Sequence, residues 1–522
     1  YAAAQLDRPA EAAELAEIGR ARWLDQAIQL AAVRGSALSA DIKAAVDEAH
    51  ATVLELERRE LELLGQGVTG AVRDLENYFG IAFGTSAKVR LTADPHGEEA
   101  KTRAELAEVR ARLQSAHENL CRLLNSISDD NLLSKRPGAA QIKETARQAG
   151  FPIAYLLSSV WGSVAIMVRE EVEVVPLPGL LRSAVQDLLY GGNGYISLLA
   201  EPTSQRLDAS LRAIQATLDA HVFPPLTAWC RDTGTTAVGV IGLGDFGLLP
   251  IQVSSVPAGL DLHVLPSARA LRLSLDRRQS HDAETKSLLT IGDPGSDGLR
   301  PLPFAGVESS VISALFKTGG ASVTDLSTTP TVALVEQELS SVTHVHLACH
   351  GTFRPFSPLN SVVHLGGSEQ LQVERLLRPA LKLVNAQLVI LSACNSASGE
   401  RLRTPDEAIG FPAAVLAAGA RTVVAAQWEV SDAVTLLLIH RFCREVLAGA
   451  SAARALANAQ RWLMGVGVTE IGVAIDQMQS SLAEEPRSRR LLEEFKNEIG
   501  AMGTAVPFAD PSYWAGFVCV GA

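Results

Sequence analysis

"THVHLACHGTF" (residues 343–353) decides how the rest of the chain is read. It carries His344, His346, Cys349 and His350 along an apolar run, then stops at Gly351. Three readings compete: a metal site, a buried strand, and one half of a catalytic pair. On a strand alternate residues share a face, so His344, His346 and His350 align while Cys349 points away. A zinc site needs three or four convergent ligands, and the chain has no second Cys/His cluster at ligand spacing. His344 and His346 therefore read as histidines hydrogen-bonded within a sheet, and His364 and His440 likewise read as structural rather than ligating. His350 differs. It ends the apolar run, and Gly351 lets the backbone bend at the carboxyl edge of a sheet, where α/β proteins form their ligand sites.

Working outward, a second apolar run, "LVILSAC" (residues 388–394), ends in Cys394. If the two runs are parallel neighbours, His350 and Cys394 emerge at one edge. A cysteine needs a nearby base or cation to become an effective thiolate, and a histidine some tens of residues upstream can supply it. Taken singly, each residue reads as a buried thiol or a capping imidazole. The pair, each at the end of an apolar strand, reads as chemistry.

Similar short runs recur from about residue 136 onward: "AVGVIGL", "LDLHVLP", "SLLTIGDP" and "RTVVAAQW". Continuous apolarity with helices between is the pattern of buried, mostly parallel strands in an α/β sheet. "FPIAYLLSSVWGSVAIMV" reads as a strand pair, residues 179–201 and 204–232 as helical, and "YWAGFVCVG" as a closing strand. Residues 1–135 read as helical almost throughout, with apolar spacing near 3.6 and few glycines or prolines. "GLGDFG" (residues 242–247) matches a dinucleotide fingerprint by letters. "LLPIQV" follows it, so no helix opens to receive a pyrophosphate, and it reads as a tight turn.

A chain of 522 residues corresponds to two to four domains at roughly 150 residues each. It begins at Tyr1 and reads as a fragment or processed product. Mean hydropathy is +0.15, yet the apolar runs are too short and interrupted to span a bilayer. Net charge is −12 with no basic run, which argues against nucleic-acid and anionic-membrane partners. Six cysteines, far apart and without a CxxC pair, read as reduced thiols of a cytoplasmic protein.

Residues 136–522 resemble the CHAT domain, a caspase-like and separase-like peptidase module of clan CD often fused to tetratricopeptide repeats. The likeness lies in "LHVLPSARAL", "LLTIGDPG", "LPFAGVESSVI", "HVHLACHGTF", "LVILSACNSASG", "DEAIGFPAAVLAAGARTVVAAQWEVSD" and "PSYWAGFVCVG", in that order and spacing. The family commonly has threonine before its His-Gly pair, where this chain has Cys349. The stretch 465–506 is longer than the family's usual connection and reads as an added regulatory helix.

The resemblance implies an α/β caspase-like module with a mostly parallel sheet, a degenerate half (136–285) and a catalytic half (286–522). An α-helical region (1–135), the end of a helical repeat array and linker, precedes it. His350 is then the general base and Cys394 the nucleophile, with the backbone N–H groups of Gly351 and Cys394 as oxyanion hole. Neither metal nor cofactor is implied. Asp432, in "WEVSD", corresponds to the Asp of a Trp-x-Val-x-Asp stretch in separases, where an acidic residue receives a basic P1 side chain. It reads equally well as a helix N-cap before "AVTLLLIHRF". Asp406 and Glu407 are runner-up acids, and Arg354 is the one nearby cation for an acidic P1. The family implies regulated proteolysis in cell death, defence or signalling, with a protein substrate such as a gasdermin-like pore-former and an activating partner or ligand. Two rivals stand beside this reading: a catalytically silent scaffold binding partners through its helices, and a cysteine-dependent acyltransferase.

Overall fold

The structure, a computed structural model, describes residues 3, 7–17, 39–53, 55, 56, 59, 98–127, 137–198, 205–280, 286–328, 330–352, 361–376, 383, 385–392, 411–482 and 484–522. The chain forms two units: Tyr1–Asp25 with Arg136–Ala522, and Gln26–Lys135. The smaller unit is helical where described. Its long helix, Glu98–Ile127, buries Val109 and Leu120, and Glu105 on it pairs with Arg59 at 2.5 Å.

The larger unit is built on one eleven-stranded sheet and a three-stranded one. In chain order the strands are β1 (Ile153–Ser159), β2 (Gly162–Val168), β3 (Val172–Leu177), β4 (Ala237–Gly242), β5 (Asp261–Val264), β6 (Ser287–Gly292), β7 (Ser322–Asp325), β8 (His344–Ala348), β9 (Gly351–Thr352), β10 (Val362–His364), β11 (Gln370–Gln372), β12 (Leu388–Leu391), β13 (Thr422–Ala426) and β14 (Phe517–Gly521). The large sheet runs β3-β2-β1-β4-β5-β14-β13-β12-β8-β6-β7, and the small one β11-β10-β9. In the large sheet only the β1–β2, β2–β3 and β13–β14 pairs are antiparallel. Every residue of β8, β12 and β13 is buried, because both faces of the sheet are covered.

The closing strand β14 sets the geometry. It runs parallel to β5 and antiparallel to β13, so the two halves of the sheet point in opposite directions. The carboxyl ends of β6, β8, β12 and β13 share one edge, and those of β4 and β5 share the other. "GLGDFG" sits at that second edge as a 3-10 turn, Gly244–Leu248, and not as the start of a phosphate-binding helix.

Helices cover both faces. α1 (Pro9–Glu17) belongs to the larger unit, and its buried Glu17 carboxylate accepts from the Tyr155 hydroxyl (2.6 Å) and the Ala268 N–H (2.9 Å). The latter is the first residue of α2 (Ala268–Ser280). α3 (Pro303–Thr318) opens on proline, whose missing N–H has no partner to lose there. It packs on β6 and on α4 (Asp432–Leu447). The sequence suggests one added helix in 465–506, whereas the structure has two, α5 (Val468–Ser481) and α6 (Pro486–Ala501). Pro486 explains the break, because the residue before proline is pushed out of helical conformation. Among the described residues, no helix is long and apolar enough to cross a membrane.

Candidate active site

His350 lies two residues beyond β8, half-buried, with its carbonyl accepting from the His364 N–H at 2.8 Å. Its ring Nε2 is 2.6 Å from the Arg300 carbonyl oxygen. A carbonyl only accepts, so Nε2 carries a proton, and in the neutral ring the lone pair is on Nδ1. The bond fixes both tautomer and ring orientation. Gly351 begins β9, paired with Val363.

β8 and β12 are parallel neighbours, with Leu391 paired to Leu347 and the Ser392 N–H donating to the Leu347 carbonyl at 2.9 Å. His350 and Cys394 each stand three residues beyond that last pair in sequence. Cys394 itself lies outside the described residues, as do Arg354, Asp406 and Glu407.

Asp432 stands at the same edge, reached from β13, the strand next to β12. It is the first residue of α4. One carboxylate oxygen accepts its neighbour's N–H (Ala433, 3.0 Å) and the other accepts the Phe304 N–H (3.3 Å) at the start of α3. The preceding Trp428 is buried, donates from Nε1 to the Ser512 carbonyl (2.9 Å) and meets Tyr195 edge-on. Gln252, on the connection into β5, donates to the Gln427 side chain and to the Ala515 carbonyl (2.7 Å). Tyr195 and Gln252, from the segments before β5, thus buttress the loop that carries Asp432.

His344, His346, His364, His440 and the described thiols are engaged in the fold. Burial pushes His344 down to about 4, and its Nδ1 meets the Thr343 hydroxyl at 2.9 Å. His346 is held between Glu308 (2.6 Å) and Thr290 (2.9 Å), all three buried. His364 meets Thr352 at 2.7 Å, and burial lowers His440 to about 4. No group of three candidate ligands converges on a metal position among the described residues. Cys230, Cys349, Cys443 and Cys519 are free and buried. Burial pushes Cys230 up to about 11 and Cys519 to about 12, and raises Cys349 and Cys443 as well. None is a ready thiolate.

Sequence reasoning misses two features of this edge: the Arg300 carbonyl and the Asp432–Phe304 bond. The first is a backbone group that any residue type supplies. The only local signal is "RPLPF", residues 300–304, whose two prolines mark a stiff approach to α3.

A model of the CHAT domain family matches residues 214–522. No curated protein sequence matches the chain. Among solved structures, the chain is similar to the complex of Porphyromonas gingivalis RgpB pro- and mature domains, at 11% identity and a TM-score of 0.36, covering 65% of this chain and 74% of that one. It is also similar to a Saccharomyces cerevisiae separase–securin complex, at 12% identity and a TM-score of 0.28. There the match covers 80% of this chain and 26% of that one.

Proposed function

The chain belongs to the CHAT domain family, and on that premise we propose that it is a cysteine endopeptidase working with a His350–Cys394 dyad. The observation that carries this reading is the His350 ring, locked by the Arg300 carbonyl beyond β8, the parallel neighbour of the strand that precedes Cys394 in sequence. With Nε2 protonated, Nδ1 is the base. It takes the Cys394 thiol proton, and the thiolate adds to the scissile carbonyl. The backbone N–H groups of Gly351 and Cys394 stabilise the resulting oxyanion. The His350 proton then passes to the leaving amine as the C–N bond breaks, and water, activated by Nδ1, hydrolyses the thioester. While His350 is cationic, its bond to Arg300 becomes charge-assisted and stronger. No acidic third member is required.

The substrate is a protein cut after arginine or lysine, with Asp432 as the P1 acid and Asp406 and Glu407 as alternatives. The two N–H bonds on Asp432 fix the carboxylate and leave acceptor positions for a guanidinium. Such a charge-assisted contact contributes roughly 1.5–3 kcal/mol, or about ten- to a hundredfold in rate. Our reading includes control by an activating partner, in cell death, defence or signalling, which the family resemblance suggests. The test is a P1-varied peptide series on wild type and Asp432→Ala. Arg and Lys should lead in wild type, and the variant should lose that lead selectively. An unchanged Arg preference in the variant removes Asp432 from the pocket.

A further inference from the structure

Residues 300–304, Arg-Pro-Leu-Pro-Phe, connect three parts of the molecule. At one end the Arg300 carbonyl orients the His350 ring. At the other, the Phe304 N–H is held by Asp432, and the Phe304 ring meets Phe495 of α6 edge-on, with centroids 5.3 Å apart and planes at 63°. Phe495 is buried, on the same face of α6 as Leu492 and Ile499. Ile471, Ile475 and Met478 form the matching buried face of α5.

The linker is short and stiff. Pro301 and Pro303 have φ fixed near −65°, and Arg300 and Leu302 each precede a proline and are kept out of the helical region. Leu302, the N-cap of α3, is at φ −111°, ψ 75°. Four consecutive residues thus have little freedom to absorb a displacement at Phe304. A shift of α3's first turn moves the Arg300 carbonyl, and with it the imidazole.

We infer that the α5–α6 hairpin orients the general base: Phe495 seats Phe304, and the proline-stiffened segment 300–304 carries that position to the carbonyl on His350. Phe495 is a positioning residue that touches no substrate. The inference rests on the proposed dyad, and the hairpin it involves is the stretch that exceeds the family's usual connection. Asp432 grips the same Phe304 N–H, but its P1 role would mix two effects, so Phe495 is the residue to change.

The test uses the full chain and needs no known substrate. Alkylation of Cys394 by iodoacetamide is followed by mass spectrometry of its peptide across pH 5–9, for wild type, His350→Ala, Phe495→Ala and Phe495→Leu. Thermal melting reports that each variant is folded. Wild type should react well above His350→Ala at neutral pH. Phe495→Ala should lose about tenfold and move its pH profile toward that of His350→Ala, since misplacing a catalytic group by about 1 Å can cost a hundredfold. Phe495→Leu keeps apolar bulk without the ring edge and should lose two- to threefold, and it carries the test alone if the alanine variant does not fold. A folded variant with the wild-type rate and profile overturns the inference while leaving the dyad intact. If wild type and His350→Ala react alike, the dyad reading fails and the inference falls with it.

Discussion

At the scale of single residues, its environment sets Cys349 apart from a nucleophile's role. Cys349 precedes His350, yet its Sγ faces the Ile291 carbonyl at 3.7 Å in a fully buried position, and burial raises its pKa. Cys349→Ala should therefore keep activity within about twofold and cost roughly 1 kcal/mol of stability for the lost sulfur. Cys394→Ala and His350→Ala should each remove at least about a thousandfold of the rate, as expected for members of one catalytic unit. Parallel turnover assays and melting curves on the three variants check this. Loss of activity in Cys349→Ala with retention in Cys394→Ala would reverse the assignment. His350 was legible because it ends an apolar run before a glycine. Its hydrogen-bond partner was not, because a carbonyl leaves no trace in residue identity. Asp432 was legible as an acid at a helix start, though the N-cap itself is Ser431, one residue earlier; its bond to Phe304 joins elements 128 residues apart, beyond any local pattern.

Among elements, the approach of α3 to the end of β6 fixes where residues 300–304 lie. A Cβ at Gly292 would overlap the Ala305 carbonyl and the Ser309 Cβ, so glycine is what allows the helix to close on the strand. Gly292→Ala should cost about 1–3 kcal/mol through overpacking. It should also lower activity by displacing α3's first turn. Denaturant midpoints together with turnover would show it, and wild-type values for both would contradict the packing described. The strands were readable from apolar runs, since buried parallel strands need no alternation. Their direction was not. β14 resembles the other runs, and its antiparallel pairing with β13 depends on where the chain returns after α6. The same limit applies to α5 and α6, whose break at Pro486 is visible but whose packing on α3 is not.

For the molecule as a whole, buried imidazoles link stability to pH. Burial lowers His263, His344 and His440 each to about 4, against roughly 6.5 when unfolded. Between those values the unfolded chain binds protons that the native state does not, so stability rises with pH there. It is full above about pH 6.5 and is lost as pH falls toward 4, by up to about 1.4 kcal/mol per pH unit for each histidine. Denaturation midpoints measured from pH 7.5 to 5 should fall, and His440→Leu should flatten the dependence by about one proton. A flat wild-type profile would mean that these histidines are protonated in the native state. The central claim, that the chain is a peptidase acting through Cys394, is met most directly by a fluorogenic peptide library offered to wild type and Cys394→Ala. Cleavage after Arg or Lys by wild type, and none by the variant, is the predicted result. Cleavage that persists unchanged in Cys394→Ala, or no cleavage of any peptide by wild type, would contradict it.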